Sequence, residues 1–87
     1  MSYADRYDPD EDFDRWYTVA TGREIGHWLR PGDGVLELGC ATGLMTASFV
    51  DHGATVTAVD HAPAYLDRAR ARHLPGVTFV EHDIVTV

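Results

Sequence analysis

The strongest constraint on this chain is a unit of short apolar strand, turn and helix that occurs twice in succession and begins a third time. Val35 to Leu38 is a short apolar run and Gly39 to Gly43 a small-residue turn. Leu44 to His52 follows as a helical pattern closed by Gly53 as a C-terminal cap. The unit then repeats: Ala54 to Val59 is a β-branched run ending in Asp60, and Pro63 suits the first turn of a helix that continues to about His73. Leu74-Pro75-Gly76 breaks that helix, and Val77 to Val80 gives a third strand before His82, Asp83 and an apolar run from Ile84 to Val87. Strands that alternate with helices of about ten residues imply right-handed crossovers and a parallel sheet. The fold class is therefore α/β, with the strands in spatial order third, second, first.

Upstream, Phe13, Trp16, Tyr17 and Ala20, then Ile25, Trp28 and Leu29, recur at three- and four-residue steps, the pattern of one buried helix face interrupted at Gly22. Pro31-Gly32-Asp33-Gly34 ends that helix. Before it, Asp5, Asp8, Asp10, Glu11, Asp12 and Asp14 crowd one stretch, and residues 1–12 read as a solvated acidic arm. The patterned chain, residues 13–87, makes one domain that ends after its third strand, as though truncated.

Seven basic against fourteen acidic residues give a net charge of −7, which repels phosphate backbones and anionic lipid. Nucleic acid and membrane are excluded as partners on that ground, and no apolar run is long enough to span a bilayer. The lone Cys40 cannot form an internal disulfide, which sets a reducing cytoplasm as the default location. Histidines at 27, 52, 61, 73 and 82 match no metal-ligand spacing, so no metal site is expected.

Three acids carry the functional reading. Glu37, Asp60 and Asp83 recur at intervals of 23 residues, each at or just past the carboxyl end of a strand. Ligands of open α/β sheets sit outside those ends, so a rim of carboxylates faces the ligand, and a pyrophosphate does not suit it. Asp60 lies 21 residues beyond Gly39, the distance from a glycine loop to an acid that accepts hydrogen bonds from ribose hydroxyls. A dinucleotide fingerprint starting at Gly39 needs further glycines at 41 and 44, where Ala41 and Leu44 stand, and a P-loop needs a lysine that this region lacks. A cationic nucleoside fits these residues better than an anionic one.

Val35-Leu36-Glu37-Leu38-Gly39-Cys40-Ala41-Thr42-Gly43 resembles the first motif of class I S-adenosylmethionine-dependent methyltransferases, (D/E)-x-G-x-G-x-G, with Ala41 in place of the middle glycine. Alanine still permits close backbone approach provided its φ is negative. Val56-Thr57-Ala58-Val59-Asp60 resembles the family's second strand with its ribose acid, and Glu81-His82-Asp83-Ile84 its third. The resemblance covers about Phe13 to Val87 and implies a Rossmann-like three-layer sandwich with a partial parallel sheet and flanking helices. It also implies S-adenosyl-L-methionine as cofactor and a small-molecule methyl acceptor.

By the same resemblance, Gly39 and Gly43 let the loop of Cys40 and Ala41 approach the methionine moiety, while Glu37 orients its ammonium. Asp60 accepts from both ribose hydroxyls, and Asp83 takes the adenine amino group with His61 and Ile84 against its faces. Tyr7 is a lid candidate; Trp16 and Tyr17 are expected in the core. Other uses stand beside these: Asp60 as a helix N-cap ahead of Pro63, Asp83 as an ordinary exposed strand-end acid, and Cys40 as a thiol without a base partner. No catalytic residue can be named, because the family builds its acceptor side after the third strand. Two other functions remain open, a non-catalytic S-adenosylmethionine-binding module or subunit needing a partner chain, and a nicotinamide-dependent oxidoreductase fragment. The first strand, at one edge of the sheet, is expected to pair with another copy or with a partner that adds the missing strands.

Overall fold

A computed structural model of the chain describes residues 15–84. The acidic arm, Tyr7, Phe13 and the run after Ile84 lie outside the described residues. The elements are α1 (Arg15–Gly26), β1 (Gly34–Leu38), α2 (Leu44–Asp51), β2 (Thr55–Asp60), α3 (Pro63–Arg70) and β3 (Val77–Glu81). The three strands form one parallel sheet in the order β1-β2-β3, which is third, second, first when read from the other edge. Two boundaries tighten: α3 stops at Arg70 rather than running to His73, which itself takes a φ of +53°, and β3 extends to Glu81.

Each crossover is right-handed and each steps in the same direction across the sheet, so α2 and α3 cover the same face. That face holds the core. Phe49 of α2 and Leu66 of α3 bury against Val56 and Ala58 of the central strand, with Val35, Val50, Val77 and Phe79 packed around them. Side chains alternate between faces along a strand, so the opposite face carries Leu36 and Leu38 of β1, which are 65% and 57% exposed, and Val80 of β3. Among the described residues the strand β1 lies at one edge of the sheet.

The first helix departs from expectation. Trp16, Tyr17 and Trp28 are 71%, 76% and 82% exposed, and Ile25 is exposed as well, so the aromatic stripe is not the packing face. Gly22 and Gly26 are the buried residues of α1. A Cβ at Gly22 would sit 2.9 Å from the Ser48 Oγ, and one at Gly26 would overlap the His52 ring. Helix α1 therefore lies close against α2 through its smallest residues. Gly22, read in the sequence as an interruption, is a contact point, and hydrophobic periodicity pointed to the wrong face because close helix approach selects for small side chains rather than apolar area.

The ring of His52 is fixed in place by a 2.8 Å hydrogen bond between its Nδ1 and the Ser48 carbonyl. Alanine is the better helix former by about 1 kcal/mol, yet Gly26→Ala should lower stability by about 1–2 kcal/mol, since the ring must leave its partner and repack. Urea unfolding measures this; a net gain in stability would mean that the α1–α2 contact is loose.

Candidate functional site

The site is assembled by the turns that follow the three strands. Register pairs Val35 with Val56 and Val56 with Val77, a step of 21 residues per strand, whereas the acids recur every 23. Each acid thus stands two residues further along than its predecessor and, since side chains alternate with period two, keeps the same face. Glu37 is one residue short of the end of β1, Asp60 is the last residue of β2, and Asp83 is two residues past β3. They form a staircase across the carboxyl rim, with about 8 Å between the backbone positions of Glu37 and Asp60.

Asp60 is buried and holds two loops together. Its Oδ2 accepts from the Ala41 N–H at 2.9 Å, and its Oδ1 accepts from the Ala62 N–H at 2.9 Å. The second of these is an Asx-turn, so the aspartate precedes the N-cap of α3, which is Ala62. The His61 Nδ1 stands 3.7 Å from Oδ1, and the Asp60 carbonyl accepts from the His82 N–H at 3.0 Å. A carboxylate carries about four acceptor positions, so capacity remains beyond the two backbone donors.

The loop after β1 takes three left-handed residues in alternation: Gly39 at φ +78°, Ala41 at +49° and Gly43 at +87°. The condition attached to Ala41 in the sequence is not met: its φ is positive, a conformation that an alanine adopts at a cost of about 1–2 kcal/mol. The two glycines differ in use. A Cβ at Gly39 would meet open space, whereas one at Gly43 would sit 3.3 Å from the Ala69 Cβ of α3. Gly39 therefore borders the site and Gly43 lets the loop close on α3, where the Arg72 Nε also donates to the Thr42 carbonyl at 2.6 Å.

The loop's donors point inward. Gly39 and Cys40 both donate to the Val59 carbonyl, at 2.7 and 3.0 Å, Ala41 to Asp60, and Gly43 to the Cys40 carbonyl at 3.0 Å. A phosphate cradle needs such N–H groups turned outward, and these four are already engaged.

Beside the loop lies a cavity of about 320 Å³ lined by Thr18 of α1, Glu37, Leu38, Gly39 and the start of α2 through Leu44 and Met45. This is at the small end of ligand pockets, about 300–1,000 Å³. Glu37 is half-buried on its wall. Burial raises its pKa above the usual carboxylate value and the negative charge of Asp60 adds to this, while a hydrogen bond from the Thr46 hydroxyl to its Oε1 opposes both. No other hydrogen bond to Glu37 is made among the described residues, and its side chain lines the cavity. Cys40 also lines it, but burial, with Glu37 and Asp60 nearby, pushes the thiol up to about 12. At neutral pH it is a neutral, buried side chain, unsuited to nucleophilic chemistry.

Of the residues singled out in the sequence, Glu37, Gly39, Cys40 and Ala41 meet at the cavity, and Asp60 joins their loop to His61 and His82. Asp83 and Ile84 stand exposed further along the rim and outside that cavity. Sequence reasoning missed Thr18, Thr46, Met45 and the Arg72 clamp. Thr46 had one available signal, a hydroxyl residue among the apolar residues of the first turn of α2.

A family model described as a methyltransferase domain matches residues 35–87. A carboxy-S-adenosyl-L-methionine synthase of Sodalis glossinidius is 37% identical, covering 76% of this chain and 30% of its own length. A malonyl-(acyl-carrier protein) O-methyltransferase of Serratia marcescens is 39% identical, covering 62% of this chain and 24% of its own. Among solved structures, a SAM-dependent methyltransferase from Geobacter sulfurreducens in complex with S-adenosyl-L-homocysteine is similar at 32% identity and a TM-score of 0.60, covering 77% of this chain and 29% of that one. The chain thus spans less than a third of the length of the curated relatives it matches.

Relief of the strain at Ala41 is measurable. Ala41→Gly should raise stability by about 0.5–1 kcal/mol, the left-handed cost less the greater chain entropy of glycine. Thermal or urea unfolding reads it, and a loss of stability would mean that the observed φ is not retained in solution.

Proposed function

Because this chain belongs to the class I S-adenosylmethionine-dependent methyltransferases, we propose that it forms the S-adenosyl-L-methionine site of an enzyme that methylates a small-molecule acceptor. One arrangement carries the reading: a loop whose N–H groups are used internally, set beside a half-buried Glu37 with an unpartnered oxygen. Such a site rejects a pyrophosphate and attracts a cation. The cofactor carries an ammonium and a sulfonium, and either relieves the electrostatic cost of two neighbouring acids in a partly buried place.

In this reading Glu37 binds the ammonium in the cavity between Thr18, Gly39 and the Cys40–Ala41 turn. Asp60 receives the ribose hydroxyls on its remaining acceptor positions. Asp83 meets the adenine amino group, with His61 and Ile84 along its faces and Tyr7 as a lid. When bound, the cofactor supplies an electrophilic methyl group for in-line displacement. The residues of this chain then orient it and keep water from it. The acidic surface disfavours a nucleic-acid acceptor, which supports a small molecule. The position of β1 at the sheet edge among the described residues supports completion of the sheet by further strands, with another copy or a partner chain among the candidate sources, and the uncovered Leu36 and Leu38 support a further layer on that face. No described helix is long and apolar enough to cross a membrane, and the lone free thiol is compatible with a cytoplasmic setting.

Calorimetry with S-adenosylhomocysteine and with NADH tests the assignment: the first should bind and the second should not, and the reverse would overturn it. Asp60 also braces the loop, so its ligand role is better probed from the ligand side. An S-adenosylhomocysteine analogue lacking the ribose hydroxyls should bind about 1.5–3 kcal/mol more weakly than its parent, the scale for hydrogen bonds to a charged group. Equal affinity would remove Asp60 from the ribose site.

Affinity should also depend on pH through Glu37. Its pKa is raised in the folded chain, so the carboxylate that the cation needs is lost as pH falls through a value above 4.5. Binding should weaken across that window and level off above it, with proton release on binding inside the window. An affinity flat from neutral pH down to 4.5 would detach Glu37 from the cation.

A further inference from the structure

Thr46 is fully buried in the first turn of α2, and its hydroxyl donates to the Oε1 of Glu37. A buried hydroxyl without a partner is costly; here its proton goes to the one acid that lines the cavity. The other side chains facing Glu37 give it no compensating charge. Asp60, at the end of β2, repels its charge, and the Cys40 thiol is neutral. Of the three arginines on the α3 side, Arg68, Arg70 and Arg72, Arg72 donates to the Thr42 carbonyl and Arg70 lies over the Phe79 ring at 5.9 Å.

We propose that Thr46 is the positioning residue of this site: its hydroxyl fixes one oxygen of Glu37 so that the other is presented to the cavity for the cationic end of the ligand. The proposal rests on the cofactor reading above for the nature of that ligand, but the Thr46–Glu37 link itself does not. A hydrogen bond to the ionised form favours ionisation, so the hydroxyl also opposes what burial and Asp60 do to the carboxyl. Thr46 would thereby keep Glu37 anionic at pH values where the site has to accept a cation.

The test is a titration of Glu37 in the ligand-free full chain by carboxyl-carbon NMR, for the wild type, Thr46→Val and Thr46→Ser, followed by S-adenosylmethionine calorimetry across pH. Thr46→Val should move the Glu37 titration upward, and Thr46→Ser, which keeps the hydroxyl, should return it toward the wild type. Affinity in Thr46→Val should fall at every pH and most in the acid range, where its Glu37 is protonated, and the same change should have no effect in a Glu37→Gln background. An unmoved Glu37 titration, or an affinity unchanged in Thr46→Val, would overturn the proposal. If Thr46→Val does not fold, the wild type decides alone, since the Thr46 hydroxyl proton must resist exchange with water and shift as Glu37 titrates; a freely exchanging proton would refute the link. If the wild type binds no S-adenosylmethionine, the cofactor reading fails while the ligand-free titration still answers for Thr46.

Discussion

The structure turns on the carboxylate of Asp60. One of its oxygens takes the Ala41 N–H from the loop after β1 and the other takes the Ala62 N–H from the turn before α3, so a single side chain ties two consecutive strand-to-helix turns into one rim. The backbone carbonyls around it do similar work: Val59 receives Gly39 and Cys40, and Asp60 receives His82 from beyond β3. These bonds connect the loops after all three strands, and each lies at the carboxyl end of the central strand β2. Ala41 makes this bond while holding a left-handed conformation, so the residue that joins the loop to β2 is also a strained one.

This arrangement leaves a loop that looks like a nucleotide cradle with four of its backbone donors already engaged. In a phosphate loop the backbone donors converge on the ligand; here they converge on protein acceptors, and the charge left at the surface of the cavity is that of Glu37. Two acids share the region, while Arg72 is engaged with the Thr42 carbonyl and Arg70 with the Phe79 ring. The electrostatic imbalance is a property of the folded site rather than of net charge alone, since it arises from burial together with proximity.

The helical layer answers to a different constraint. Helix α2 is held on one side by the sheet, through Phe49 and Val50, and on the other by α1, through Ser48 and His52. Its close approach to α1 is permitted by Gly22 and Gly26 and brings Thr18 to the wall of the cavity. Packing of α1 is thus part of the site, although that helix carries none of the three acids.

What the sequence determined by itself was the order of elements, the parallel sheet and the placement of Glu37, Asp60 and Asp83 at its rim. Those follow from local signals: β-branched runs, glycine and proline stops, and a spacing of acids that keeps one face. Expectation failed for the face of α1, where Trp16, Tyr17 and Trp28 promised a core and proved exposed, because helix-to-helix distance is set by the smallest residues and periodicity counts only the apolar ones. The sign of φ at Ala41, the different uses of Gly39 and Gly43, and the pairing of Thr46 with Glu37 were settled only in three dimensions. Each depends on an atom far away in the chain, an aspartate oxygen, an alanine of α3 or a buried hydroxyl, and the distance between such atoms exists only after the strands have paired.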